Sequence, residues 1–358
     1  MLFSMTHVNA VIVQYFFTGS LLTINLTKQT NNLMTPLEKQ FLEQLTKRRL
    51  VQRGDKVLLA VSGGPDSMAL LSLFCAVQPF LQCSLALAHC NFQLRDSESD
   101  SDEAFVQEQA TARNLPCFVE RFETRNVAAT WKKSLEESAR LLRYAFFERL
   151  MQVHGFHKVA TGHHVNDNAE TILFNLVRGT SLLGLRGIRA QHGTIIRPML
   201  LLHKPAITTY LHEQQIPYRV DSSNEGTEYD RNFIRHRLIP LIEERFPRKL
   251  LPSLQRLSEQ AGELEEFLEL YFEQLTQREP LLQLHNNQLN VKALRQLTTF
   301  EQKEIIKRAL WELGAPVDGQ TLQRMVELLQ TQSGRMVQLG RKWQVEWKGN
   351  SLYFSHQP

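Results

Sequence analysis

Val57–Leu70 reads VLLAVSGGPDSMAL. Val57 to Val61 is a short apolar run behind Gly54-Asp55, the pattern of a buried strand. Ser62-Gly63-Gly64 ends that run, and Pro65 takes the favoured first position of a helix whose apolar residues include Met68, Leu70, Leu71 and Phe74. A strand that stops at two glycines and restarts as a helix turns unpaired N–H groups and a positive dipole end onto one spot. Such a spot binds anions. Ser62 and Ser67 add hydroxyl donors, and Asp66 can hold a divalent ion against phosphates. The run lacks both G-x-x-x-x-G-K-[ST], with its phosphate-gripping lysine, and G-x-G-x-x-G. The plain alternative is a glycine turn between a strand and a helix.

The chain has 358 residues, which predicts two domains or three, and an ordinary globular composition. A formal charge of +4 does not by itself call for nucleic acid, so clustering has to carry that argument. Cys75, Cys83, Cys90 and Cys117 show no C-x-x-C and no metal-ligand spacing, and read as reduced, mostly buried thiols of a cytoplasmic protein. Residues 1–33 differ from the rest. Val8–Leu26 is apolar and aromatic, but polar residues interrupt it and no Lys or Arg precedes it. It reads as a disordered extension or an upstream start rather than a membrane anchor. Thr35-Pro36-Leu37-Glu38 is a capping box with proline at the first helical position, a better beginning.

Strands alternate with helices after Val57. Cys83–Cys90, Cys117–Phe122, His157–Thr161 and Thr194–Arg197 read as further strands, with helices from near Ser97 and over Ser134–Val153 and Val165–Arg178. This order predicts an α/β doubly wound parallel sheet, with ligands beyond the carboxyl ends of its strands. The SGGPDS loop, His89 and His163 fall at such ends. After about Pro217 the pattern changes. Helices are expected over Tyr229–Glu244, around Leu254–Phe267, over Val291–Leu313 and over Thr321–Gln330. A small antiparallel meander follows over Met336–Leu339, Gln344–Trp347 and Leu352–Phe354.

Thr161–Gly187 is the second informative stretch, TGHHVNDNAETILFNLVRGTSLLGLRG. Asp167 and Glu170 lie three apart near the start of its helix, where they can bind a metal, orient an amine or cap the helix. Between Glu170 and Glu213 there is no acidic residue, while Arg178, Arg186, Arg189, Arg197 and Lys204 are present. A second basic group holds Arg231, Arg235, Arg237, Arg245, Arg248 and Lys249. Phosphate-tracking surfaces have this character. The acidic run Asp96–Glu103 reads as a solvated, capped helix start.

Ser62–Ser67 resembles the SGGxDS loop of the PP-loop (N-type) ATP pyrophosphatases, which cut ATP between the α and β phosphates. Within that superfamily the chain resembles the tRNA(Ile)-lysidine synthetases. His163-His164, Asp167, Glu170 and Thr171 match HHxxDxxET, and Arg178 to Ile188 matches RGxxxxGLxGI. Glu136, Ala139, Arg140, Arg143 and Tyr144 match ExxARxxRY, and Arg197-Pro198 matches RPLL. Asp221, Ser223, Asn224, Tyr229, Arg231, Asn232 and Arg235 match DxSN…YxRNxIR. Without the family, Glu136 and Arg140 would read as an i,i+4 ion pair.

The resemblance implies that ATP adenylates the C2 oxygen of the wobble cytidine in an isoleucine tRNA with a CAU anticodon. The ε-amine of free L-lysine then displaces AMP to leave lysidine, which changes the codon read from AUG to AUA. It implies nucleotide contacts from Ser62, Gly63, Gly64, Pro65, Asp66, Ser67 and His89, and Mg²⁺ on Asp66 and Asp167. It implies catalytic roles for Asp66, Arg143, His163, Asp167, Glu170 and Arg235, and tRNA contacts from Arg178, Arg186, Arg189, Arg197 and Arg231. The expected division is an extension over 1–33, a catalytic domain over 34–245 and an α+β tRNA-binding domain over 246–358, without a membrane segment and with a homodimer open. Three departures stand out. His89-Cys90-Asn91-Phe92-Gln93-Leu94-Arg95 replaces HVxHGLR, Asn166 replaces the first member of an Asp-Asp pair, and one C-terminal domain stands where longer members have two. The rival readings are another PP-loop tRNA-modifying enzyme, such as a thiolase, and a non-catalytic nucleotide-sensing tRNA-binding protein.

Overall fold

The computed structural model describes residues 34–95, 97–220 and 230–356. The expectations for residues 1–33, Asp96, Asp221, Ser223, Asn224 and Tyr229 lie outside them. The chain divides into two compact units, one through Ala261 and one from Gly262.

In the first unit α1 (Pro36–Lys47) begins at the capping box, with Thr35 as cap and Glu38 returning the bond. There follow β1 (Lys56–Ala60), α2 (Pro65–Leu81), β2 (Ser84–Asn91), α3 (Ser97–Thr111) and β3 (Cys117–Arg121). Then come α4 (Thr124–Trp131), α5 (Leu135–His154), β4 (Lys158–Ala160), α6 (Val165–Val177), β5 (Gln191–His192), β6 (Ile195–Ile196) and α7 (Lys204–Glu213). The sheet runs β3-β2-β1-β4-β6-β5, all pairs parallel except the β5–β6 hairpin. This is the expected doubly wound sheet, with the loop after β1 at its centre.

Strand alternation explains why helices cover both faces. Val57, Leu59, Leu85 and Leu87 pack on one side with Phe41, Phe74 and Tyr210 from α1, α2 and α7. Leu58, Ala86, Ala88 and Val159 pack on the other with Phe146, Phe147 and Leu150 of α5. Buried on both sides, β1 reads as a continuous apolar run.

Three differences from the sequence reading are local. α4 and α7 are short helices without a long apolar period, and β5 pairs with β6 across the Gly193 turn. After the first sheet, the helix expected over Tyr229–Glu244 is α8 (Asp230–Phe233), a π-helical turn (Ile234–Leu238) and α9 (Ile239–Arg245). The π turn carries Arg235. A long helix α10 (Leu250–Arg278) follows.

The second unit has its own core, with Leu289, Leu310, Met325, Val345 and Phe354 among its buried residues. Its antiparallel sheet runs β7-β10-β9-β8, from β7 (Gln288–Asn290), β8 (Met336–Leu339), β9 (Trp343–Lys348) and β10 (Ser351–His356). The single helix expected over Val291–Leu313 is two, α11 (Val291–Leu294) and α12 (Thr299–Glu312). Thr298 and Glu301 form a capping box that restarts the chain there. α13 (Gly319–Leu329) is capped by Asp318. No helix among the described residues is long and apolar enough to cross a membrane.

Candidate active site at the carboxyl ends of the strands

The loop after β1 needs its glycines for separate reasons. Gly63 has φ +93°, a left-handed backbone that only glycine adopts at little cost. Gly64 is the N-cap of α2 and brings no side chain to cap it, so the helix start faces outward. Ser67 ties the turn together. Its Oγ accepts from the N–H groups of Ser62 and Gly63 at 3.2 and 3.1 Å and donates to the Gly64 carbonyl at 2.9 Å. Just beyond β4, Gly162 lies so close that a Cβ there would stand 3.0 Å from the Asp66 carbonyl oxygen.

Asp66, at the second position of α2, is gripped by two partners from other elements. Lys204 Nζ, at the start of α7, forms an ion pair with Asp66 Oδ1, and His164 Nε2 lies 3.5 Å from the same oxygen. Burial alone would raise the Asp66 pKa, but the His164 and Lys204 contacts outweigh it and hold the carboxyl below its ordinary value. His164 is also the N-cap of α6. Its Nδ1 accepts the Asn166 N–H at 3.2 Å, which leaves the ring proton on Nε2, facing Asp66. Asp167 closes this cap by accepting the His164 N–H at 2.9 Å.

One turn along α6, Glu170 is buried and receives Arg235 in a forked pair, Nε to Oε1 at 2.6 Å and a terminal nitrogen to Oε2 at 2.9 Å. The same terminal nitrogen lies 3.3 Å from Asp167 Oδ1. The Glu170 bond raises the pKa of Arg235 despite its burial. The neighbouring His163 is pushed down to about 4, chiefly by burial and further by Arg197 and Arg143, against Asp167. Its imidazole is neutral at pH 7.

Two cavities meet here. The first, about 300 Å³, is lined by Ser62, Asp66 and Ser67 at one end and by Cys90, Phe92 and Phe147 at the other. Arg143 forms part of its wall and lies over the Phe92 ring at 5.4 Å. The second, about 540 Å³, is lined by Glu170, Arg189, Arg197, Arg231 and Arg235, and by Glu136 and Arg140 of α5. Tyr144, His163 and Asp167 belong to both walls.

The structure therefore brings Asp66, Arg143, His163, Asp167, Glu170 and Arg235 together. Of the five arginines expected at tRNA, Arg189, Arg197 and Arg231 join them in the second cavity. Arg178 and Arg186 do not line it. Arg178 is exposed, 5.1 Å from the Phe174 ring. His89, expected to touch nucleotide, lines neither cavity. Alternation along β2 turns Ala88 and Cys90 to the first cavity and His89 to the opposite side, where burial lowers its pKa and its Nδ1 lies 2.8 Å from the Val61 carbonyl. It buttresses the loop from behind. Lys204, beside the loop through Asp66, is not among the residues that the motifs point to. The signal for Lys204 was there: His203-Lys204-Pro205 places proline in a first turn, and the helix it opens starts beside the loop.

The loop and sheet define the class of protein: residues 33–242 match the PP-loop domain family. The tRNA(Ile)-lysidine synthase of Chlorobaculum tepidum is 53% identical over 307 residues, covering 86% of this chain and 93% of that protein. That of Thermosipho africanus is 39% identical over 236 residues, 66% of this chain and 55% of a longer protein. The chain is an enzyme of the tRNA(Ile)-lysidine synthase family. Among solved structures, the U34-tRNA thiolase NcsA of Methanococcus maripaludis shares the fold, with TM-score 0.53 and 16% identity over 65% of this chain and 78% of that one.

Proposed function

We propose that the chain uses ATP to join L-lysine to C2 of the wobble cytidine of a CAU-anticodon isoleucine tRNA, by way of an adenylated intermediate. The observation that carries this reading is the shared wall. Tyr144, His163 and Asp167 separate a cavity at the phosphate loop from a second one ringed by arginines. A two-step reaction, adenylation and then attack by an amine, needs one base reached from both sides.

The triphosphate lies along Ser62–Ser67, where the α2 start and the loop N–H groups face the charge that builds on pyrophosphate. Lys204 supplies the cation that the loop itself lacks. The apolar end of the first cavity, Phe92 and Phe147, suits the adenine ring. The second cavity takes the cytidine nucleotide and lysine, its arginines facing phosphate and the lysine carboxylate. Asp167 positions the lysine ammonium. His163, neutral and in the shared wall, does not repel that ammonium.

Asp66 and Asp167 are the residues that would hold Mg²⁺. The His164 ring lies 3.5 Å from each of them. Their oxygen donors fit an ion that takes one or two carboxylates and completes its shell with phosphates and water. It would supply charge neutralisation of the phosphates. The second unit is proposed to bind tRNA. A homodimer and a cytoplasmic setting remain parts of the same reading.

Thiolase chemistry on this fold needs a reactive thiolate. Cys90 lines the first cavity, yet burial pushes its thiol up to about 12. The test is incorporation of labelled lysine into a tRNA(Ile) transcript with a CAU anticodon, with a wobble-base change as control. Stoichiometric AMP and pyrophosphate are expected. Accumulation of ADP, or lysine entering the control transcript equally, would overturn the reading.

A further inference from the structure

The segment Tyr218–Val220 runs past the phosphate loop as a strap. The Arg219 N–H donates to the Gly63 carbonyl at 2.9 Å, and Arg219 Cγ stands 3.8 Å from where a Cβ on Gly63 would lie. The side chain thus passes directly over the one left-handed residue of the loop. Its guanidinium is parked on α3, with Nε 3.4 Å from Asp102 Oδ1, and the side chain is 48% exposed. Asp102 has a closer partner in Arg95, whose terminal nitrogen lies 2.8 Å from Oδ2. Asp102 would therefore keep an ion pair if Arg219 left, so that departure costs little.

We propose that Arg219 is a specificity residue for the polyphosphate: when ATP binds, its guanidinium moves from Asp102 to the β and γ phosphates and stays on pyrophosphate until release. This rests on the reading of Ser62–Ser67 as the triphosphate site. The chemistry favours the exchange. A guanidinium binds phosphate through a forked, charge-assisted pair, whereas its hold on Asp102 is a single long contact. Lys204 already stands on Asp66, and Arg219 brings the second cation over Gly63. Because it meets only the β and γ groups, it discriminates ATP and pyrophosphate from AMP.

The experiment is calorimetric titration of the full chain with pyrophosphate, ATP and AMP, using wild type, Arg219→Gln, Arg219→Lys and Asp102→Asn. Arg219→Gln is expected to weaken pyrophosphate and ATP by about tenfold and leave AMP unchanged, with partial recovery in Arg219→Lys. Asp102→Asn frees Arg219 and is expected to bind pyrophosphate at least as tightly as wild type. A merely structural latch predicts that Asp102→Asn and Arg219→Gln weaken all three ligands alike, and that result would overturn the proposal. Equal pyrophosphate binding by wild type and Arg219→Gln would overturn it too, while leaving the loop as the phosphate site. If wild type failed to bind pyrophosphate at all, the reading of the loop itself would fall.

Discussion

Glu170 on α6 and Arg235 on the π-helical turn are joined by two hydrogen bonds, 2.6 and 2.9 Å, across 65 residues of sequence. The glutamate is buried and the arginine is 42% exposed on its side chain, so the pair has a dry end and a wet end. It fixes the helix that carries Asp167 against the segment that carries Arg231. π turns recur at functional sites, and here the turn carries Arg235.

Removing Arg235 leaves Glu170 as an uncompensated buried charge. Arg235→Ala is expected to cost about 2 kcal/mol of stability, below the range for fully buried pairs because the arginine is partly solvated. The double variant Glu170→Gln/Arg235→Met should regain most of that stability in urea unfolding and recover no lysine transfer. If activity returned with stability, the pair would be scaffolding alone.

His163 ties stability to pH. Its ordinary value near 6.5 applies unfolded and about 4 applies folded, so below pH 6.5 the unfolded chain binds the proton that the folded chain refuses. Its contribution is therefore whole above pH 6.5, falls as pH drops toward 4, and is on the order of 3 kcal/mol. His163→Gln should flatten the thermal-stability profile between pH 4 and 6.5. An unchanged slope there would show that the imidazole is charged in the folded state.

Gly162 meets the loop backbone rather than a side chain that can swing away. A Cβ there would lie 3.0 and 3.1 Å from the oxygen and carbon of the Asp66 carbonyl. Gly162→Ala should displace Asp66 by a few tenths of an ångström and raise KM for ATP about tenfold, at a stability cost of about 1 kcal/mol. Steady-state kinetics with ATP varied and tRNA saturating reads this directly. Gly319 offers the contrast: nothing lies within 4 Å of its Cβ position and its backbone is not left-handed, so a change in ATP KM on Gly319→Ala would speak against the steric argument.

What could be read in the chain before its structure was known was what repeats locally. β1, its loop and α2 carry a switch from an apolar run to helical spacing within 14 residues, and the Thr35–Glu38 capping box is complete in four. The Thr298–Glu301 box was equally local and marks the break that splits the expected Val291–Leu313 helix. The site was legible only where motif residues sit next to each other. Lys204 reaches the loop from 138 residues away through Asp66, and Arg219 reaches it through its N–H on the Gly63 carbonyl, contacts that leave no periodic trace. His89 shows what a strand end alone leaves undecided. Its place at a strand end was right, but one step of strand alternation decides which face it serves, and Cys90 took the cavity side.

Lys204 gives the sharpest test of how this loop works without a lysine of its own. Its Nζ stands on Asp66, and its backbone N–H lies 3.4 Å from Asn166 Oδ1. An amide there accepts that N–H without adding a negative charge to compete for the ammonium. Lys204→Ala should slow adenylate formation by about 100-fold, the range seen when one preorganised charge facing a developing anion is removed. Transfer of lysine onto a preformed adenylate should change little, since the cation faces pyrophosphate and not the attacking amine. Asn166→Asp should pull part of the ammonium away from Asp66 and slow the same step by a smaller factor. Single-turnover assays that follow pyrophosphate release and lysine incorporation separately would read both. Equal slowing of the two steps would place Lys204 outside the phosphate site.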